Sequence, residues 1–241
     1  MTRTSVDLRI VTYNVHRCRG LDRLTRPDRI AEVLRAIEPD VVALQEVVGP
    51  GPRGANQAEL LGAMLGMASV MAPTRLYRSH QYGNALLSRF PIVHHTQHDL
   101  TWKTCEPRAC QRTDLLVQNR LLHVFNVHLG TAHRERQHQA ARLAGHVTDR
   151  RLRGPRLVLG DFNEWLKGWA TSLLGSILEG IDLPVSTRRK RTYPGFFPVL
   201  HLDHIYHDKS IDVVSVDLPR TRRTLVASDH LPLVADLRVR I

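Results

Sequence analysis

The sequence predicts an α+β protein in which two β-sheets pack together as a sandwich, and three observations point to it. From residue 82 onward apolar residues recur with period two, as they do in strands that bury one face. A small number of segments instead carry helical spacing or helix-capping residues. Many strands with few helices, out of strict alternation, belong to an α+β architecture. Neither a linker, a low-complexity tract nor a repeat divides the 241 residues, so 1–241 is read as one domain.

The elements follow in order. LRIVTYNVH, residues 8–16, is a β-rich run that ends in polar residues. Residues 27–38 form a helix, with Pro27 in the first turn and Ile30, Val33, Leu34 and Ile37 on one stripe. Pro39-Asp40 stops it, and VVALQEV is a buried strand carrying Glu46 near its end. Asn56 to Leu65 is a second helix, with Asn56 and Glu59 at capping-box spacing. YGNALLSR, IVHHTQHDL, RTDLLVQ and LLHVFNVHL are strands, with turns at Arg89-Phe90-Pro91 and Gln118-Asn119-Arg120. A polar helix spans 133–150, RLVLGDFN is a strand, and Trp165 to Leu178 is helical. LDHIYH, DVVSVDL and LPLVADLRV complete the strands.

Composition narrows the class. At 42% hydrophobic and 24% charged, the chain is neither disordered nor collagen-like. It has no apolar run near the roughly 18 residues that a membrane span needs. Asp7 and Arg9 interrupt any signal-peptide core, so a cytoplasmic protein is expected. Cys18, Cys105 and Cys110 lack zinc-site spacing and suggest no disulfide framework. The formal charge of +11 favours a phosphate-bearing partner, although only four of the 34 basic residues are lysines and the arginine skew also suits a GC-rich genome. No obligate protein partner is evident.

Strand after strand ends in a polar residue: Asn14, Glu46, His128, Asp161 with Asn163, Asp203, and Asp229-His230. Carboxylate and amide oxygens suit a hard divalent ion such as Mg²⁺, which can neutralise a phosphate oxygen. Hydrolysis also needs a base for water and a cation facing the growing negative charge. Singly, each residue has an ordinary reading as well. Asp161 and Asn163 suit a helix cap and Asp229 an Asx turn, while Asn14 and His128 suit a packed core. Glu46 is the hardest to explain as structure, because buried carboxylates are rare unless paired or bound to metal.

In that order, TYNVH, LQEV, YGNALLSR, NVHL, GDFN, LDHIY and SDH resemble the motifs of the endonuclease/exonuclease/phosphatase superfamily, the DNase I-like hydrolases, from Asn14 to His230. The resemblance implies a four-layered α/β/β/α sandwich of two packed mixed sheets. It also implies a Mg²⁺-dependent phosphoesterase, with Mn²⁺ as a substitute, in which water attacks a phosphodiester in line. The substrate would be nucleic acid or a phospholipid head group. A small-molecule phosphomonoesterase, or a silent nucleic-acid-binding protein on the same scaffold, stays open beside it. Residue by residue, Glu46 would be the principal metal ligand, with Asn14 nearby and Asp229 as a further carboxylate. Asp161 would activate water, and Asn163 would hold the phosphate. His230 would contact the scissile phosphate, polarised by Asp203. His128 would sit beside the leaving group as proton donor or phosphate ligand. Asn84 and Arg108 would be substrate-side contacts.

Three other features carry expectations. In a strand, His201, Asp203 and His207 share one face and His204 takes the other, so the histidines cannot converge on zinc. The basic segments at 150–153 and at Arg220, Arg222 and Arg223 read as solvated loops. The segment Arg188-Arg189-Lys190-Arg191, followed by Thr192-Tyr193-Pro194-Gly195-Phe196-Phe197, reads as a loop that grips the substrate.

Overall fold

The computed structural model describes residues 5–52, 56–165, 168–181 and 191–240. Strands β1 (Ser5–Asn14), β2 (Val41–Val48), β3 (Ala68–Tyr77) and β4 (His80–Ser88) build most of the first sheet. Strands β5 (Ile92–Asp99), β6 (Ala109–Val117), β7 (Arg120–His128), β8 (Arg156–Asp161), β9 (Glu179–Gly180) and β10 (Asp203–His207) build the second. The chain then returns through β11 (Ile211–Asp217) and β12 (Leu233–Arg240) to pair beside β1. Each sheet has six strands, in the orders β11-β12-β1-β2-β4-β3 and β5-β6-β7-β8-β10-β9. Helices α1 (Pro27–Ile37), α2 (Gln57–Leu65) and α5 (Arg222–Ala227) cover the first sheet, and α3 (His133–Val147) and α4 (Trp169–Ile177) the second. The result is the expected four-layered α/β/β/α sandwich of mixed sheets.

Alternation along the strands creates the layers. On β1, Leu8 and Ile10 point between the sheets, while Val11 and Tyr13 point under the helices. On β8, Leu157 and Leu159 face the first sheet and Val158 faces α3 and α4. Strands buried on both faces read as near-continuous apolar runs. Each large aliphatic side chain buried between the sheets contributes about 1.5–3 kcal/mol.

Two parallel pairs bring polar strand ends together. β1 runs parallel to β2 and β7 runs parallel to β8, each crossing over through a helix, α1 and α3 respectively. Their C-terminal ends carry Asn14, Glu46, His128 and Asp161. α1 begins with Pro27 at its first position and buries the expected stripe, and it ends where Glu38 turns left-handed at φ 56. Asn56 caps α2 by accepting from the N–H groups of Ala58 and Glu59. Gln118 and Asn119 both take positive φ, as a two-residue hairpin turn requires.

Sequence pattern and structure differ at several places. β3 escapes the pattern because Pro73 interrupts it, and as the edge strand it tolerates a proline beside the bulge at Pro73/Arg75. Arg222 and Arg223, expected in a solvated loop, open the helix α5. Thr221 caps that helix and Thr224 and Ala227 bury its inner face, so short-range capping outweighs the charge run. The helix expected from Trp165 starts only at Trp169, where the Glu164 carboxylate accepts from the N–H groups of Ala170 and Thr171. His201 precedes β10 rather than lying in it, so strand alternation does not fix its direction, and its ring packs 4.5 Å from that of His204. His207 stays apart, its Nδ1 against the carbonyl of Asp208.

Candidate active site

Strand pairing alone assembles the centre of the site. His128 lies opposite Asp161 in the β7–β8 register, and Asp161 lies opposite Asp203 in the β8–β10 register. Directly paired residues share a face, so the three side chains form a row across three strands. On the facing sheet Asn14 ends β1, and its Nδ2 crosses to donate to Asp161 Oδ2 at 3.1 Å and to Glu46 Oε1 at 3.3 Å. Ser228 ties in the last motif by donating its hydroxyl to the Asn14 carbonyl at 2.8 Å, which sets Asp229 and His230 beside the row.

Glu46 occupies a bulge. The register between β2 and β4 shifts between Leu44 and Val47, and Glu46 takes φ 58, a left-handed conformation that costs a side-chain-bearing residue energy. The bulge turns its carboxylate out of the alternation and up to the rim. There Tyr82, from β4, hydrogen-bonds it, and burial together with that carboxylate raises the phenol's pKa.

Beneath this rim the two sheets are joined by buried amides. Gln45 Nε2 donates to Thr12 Oγ1 at 3.1 Å and to Asn126 Oδ1 at 2.8 Å. Asn126 Nδ2 donates to the carbonyls of Leu44 and Ala85 and to Gln111 Oε1, all within 3.0 Å. Asn84 belongs to this floor, with its Nδ2 directed at the carbonyls of Ala109 and Asn126. Asn84 also lines a small recess of about 10 Å³ beside the main cavity, together with Glu46, Tyr82, Arg108 and His128.

The ionisable groups divide by environment. His230 Nδ1 stands 3.0 Å from Asp203 Oδ2, and its Nε2 is 3.7 Å from Asp161 Oδ2. Burial alone would lower the pKa of this imidazole, but the charges of Asp203 and Asp161 outweigh it and hold the ring cationic, up at about 10. Burial lifts the Asp161 carboxyl to about 6, against the pull of His230 and with Asp203 adding to the rise. His128 behaves in the opposite way. Burial, then the Arg108 guanidinium and His230, keep its pKa well below 6.5 and the ring neutral. Arg108 Nη1 faces His128 Nδ1 at 3.2 Å, so the ring proton sits on Nε2, 3.6 Å from Asp161 Oδ2. Asn163, at φ 49, donates Nδ2 to the Leu129 carbonyl and its backbone N–H to Asp161 Oδ1.

Among the described residues, Asp161, Asp203 and His230 alone bring three acid or histidine ligand atoms within 4.8 Å of one another. The hydrogen bond between His230 and Asp203 marks them as a polarised His–Asp pair beside a carboxylate. Glu46 and Asp229 stand at the rim of the same cavity, with Asp229 Oδ1 3.7 Å from His16 Nδ1. These are oxygen donors, and they fit a hard divalent ion.

The cavity holds about 410 Å³ and takes in Asn14, Glu46, Arg108, His128, Asp161, Asn163, Asp229 and His230 of the expected residues. Size alone would have chosen elsewhere, since clefts of about 960 and 640 Å³ open at other places on the surface. Neither contains the row of strand-end carboxylates and histidines. Sequence reasoning missed Arg17, Arg75, Tyr82 and Glu106, which also line the cavity. For Tyr82 a signal existed: it lies two residues before Asn84 and shares its face. Tyr193 reaches the cavity from the loop expected to grip substrate, and its ring is 4.9 Å from that of His230. Phe196 and Phe197 are exposed, and Arg188, Arg189 and Lys190 lie outside the described residues.

Comparison with known proteins identifies the family. The chain is 30% identical over 247 residues to the protein YbhP of Escherichia coli, itself called uncharacterized, with 96% of each covered. A solved endonuclease/exonuclease/phosphatase from Bacteroides vulgatus superposes with a TM-score of 0.82 at 20% identity, covering 98% of this chain and 100% of that one. Another, from Beutenbergia cavernae, gives 0.76 at 25% identity, covering 97% and 72%. The family model for the endonuclease/exonuclease/phosphatase family matches residues 11–230, a span that opens just before Asn14 and closes on His230. The strand-end row thus lies inside the matched span from first to last, and the chain belongs to that family of phosphate-ester hydrolases.

Proposed function

We propose that the protein is a Mg²⁺-dependent phosphodiesterase that cleaves its ester by direct in-line attack of water. The observation that carries this reading is the paired environment of Asp161 and His230. One carboxyl is lifted by burial toward neutrality, and one imidazolium is held cationic about 3.7 Å away. A base with a pKa near the working pH, next to a cation that stays charged there, meets the two needs of phosphate-ester hydrolysis.

Each residue then has a task. Asp161 Oδ2 orients the attacking water and accepts its proton, with Asn14 Nδ2 fixing the carboxylate from the opposite sheet. His230, kept charged by Asp203, donates Nε2–H to a phosphoryl oxygen. His128 donates from its neutral Nε2–H, so it acts as a phosphate ligand rather than an acid. The second amide hydrogen of Asn163 holds the phosphate on the same side. Glu46 and Asp229 would hold the divalent ion, with Asn14 orienting Glu46, and the ion would neutralise charge on the phosphate and leaving oxygens.

The test is hydrolysis of chromogenic diester and monoester substrates by wild type and Asp161→Asn, in Mg²⁺ and in EDTA. Diester cleavage that needs the metal and falls about 10³-fold in the variant is expected. Cleavage of the monoester alone would move the reading to a small-molecule phosphatase. Full activity in Asp161→Asn would remove Asp161 from its role.

A further inference from the structure

The wall of the cavity built from the β3–β4 hairpin and the turn after β1 takes little part in the proposed hydrolysis, yet it is rich in guanidinium groups. Arg75 and Tyr82 are direct register partners across the hairpin, and the Arg75 guanidinium carbon lies 4.2 Å from the Tyr82 ring centroid. The Tyr77 ring, 5.9 Å from that of Tyr82, has Arg17 at 5.3 Å and Arg78 at 5.5 Å. Glu106 bridges onward, accepting from Arg75 Nε at 2.7 Å and from Arg108 Nη2 at 3.2 Å. A continuous chain of rings and guanidiniums, joined by the Glu106 carboxylate, therefore runs from the hairpin tip to His128.

Charge along this wall is not balanced. Arg17, Arg75 and Arg108 reach the cavity against two carboxylates on this side, Glu106 between Arg75 and Arg108 and Glu46 beside Tyr82, which leaves one formal positive charge. Among the described residues no carboxylate pairs with Arg17, whose neighbours are His16 Nε2 and the Tyr77 ring. Arg108 is only 9% exposed at its side chain, and its Nε has no hydrogen-bond partner. Arg75 and Arg108 share the Glu106 carboxylate, so each fork keeps N–H donors to offer an anion. Arg17 also sits in a left-handed run, with φ 44, 60 and 54 at His16, Arg17 and Cys18, pinned by Gln57 Nε2 on the Arg17 carbonyl at 2.8 Å.

The rings do not behave as base-stacking platforms. Guanidiniums already lie against Tyr77 and Tyr82, so the tyrosines hold the arginines in place. A planar fork held in this way binds a phosphate with little further ordering cost. We propose that Arg17, Arg75 and Arg108 form a second anion subsite, and that the substrate carries a second phosphate group besides the ester that is cleaved. This rests on the reading of the protein as a hydrolase. A cavity of about 410 Å³ accommodates two phosphates joined by a sugar-sized unit.

The test compares two substrate pairs that differ by one phosphate. The diester pair is thymidine 5′-(4-nitrophenyl phosphate) with and without a 3′-phosphate, and the monoester pair is glucose 1,6-bisphosphate and glucose 6-phosphate. Wild type is expected to prefer the doubly phosphorylated member of one pair by about tenfold in kcat/KM, chiefly through KM. The pair that shows it identifies the source as nucleotide or sugar. In Arg17→Gln/Arg75→Gln that preference should fall to near unity, and Arg17→Lys/Arg75→Lys should restore part of it, which a merely structural loss would not do. Turnover without preference in wild type, or preference that survives the double glutamine variant, overturns the subsite alone. Absence of any Asp161-dependent turnover of all four compounds overturns the hydrolase reading and the subsite with it.

Discussion

At Glu46 the backbone bears a cost so that one carboxylate can reach the rim. A non-glycine residue at φ 58 is strained by about 1–2 kcal/mol, and a glycine there is not. Glu46→Gly is therefore expected to change stability by less than about 1 kcal/mol, because relief of the strained backbone offsets the lost bonds from Tyr82 and Asn14, while abolishing metal-dependent hydrolysis. Urea unfolding and a diester assay on the same preparation would check it, and a larger loss of stability would mean that the bulge is held by the side chain. Polar residues at strand ends were legible in sequence, because apolar runs make their terminal Asn, Asp, Glu or His conspicuous. Arg17 and Arg75 were not legible, because a left-handed turn and an edge-strand bulge carry them to the cavity and neither leaves a periodic trace. The neutrality of His128 was equally hidden, since it depends on burial in the assembled site and then on Arg108, twenty residues away in sequence.

At the scale of elements, strand register does the assembly, and the amide floor holds the register of the two sheets to one another. Asn126 is fully buried and ties Leu44 and Ala85 of one sheet to Gln111 of the other. Asn126→Leu should cost about 2–4 kcal/mol, because it leaves Gln111 Oε1 without its donor, takes one acceptor from Gln45 Nε2 and removes its own bonds to the Leu44 and Ala85 carbonyls. A denaturation midpoint close to that of wild type would show that the floor rearranges around the change. The sequence pattern located most strands and both early helices, since alternation and capping are local signals. It had no means of reading sheet order: β11 and β12 join the first sheet after six strands of the second, a choice made by burial over long range.

Across the whole molecule, histidines set the pH response. His204 is half-buried beside His201 and Phe162, and desolvation, then His201, pull its pKa down to about 3. Since the folded value lies below the unfolded 6.5, its contribution is intact above pH 6.5 and lost as pH falls toward 3. The slope approaches about 1.4 kcal/mol per pH unit for one such group. His204→Phe, which keeps the ring packing, should unfold less steeply with acid in urea titrations from pH 7 to 4. Parallel slopes for the two proteins would exclude His204 as a source. His230 has the opposite sign: its raised pKa contributes below pH 6.5 and that contribution fades as pH rises through about 10. Stability should therefore decline on both sides of neutrality.

The 3.1 Å bond from Asn14 to Asp161 spans the gap between the two sheets, and that gap is filled by aliphatic side chains such as Ile10, Leu86 and Leu159. The bulk of those side chains thus acts as a spacer that sets how far the halves of the site stand apart. Trimming one of them, as in Leu159→Ala, should slow turnover before the fold gives way, because reacting groups respond to displacements that a packed core survives. For this protein the rate of hydrolysis is a strain gauge on its interior.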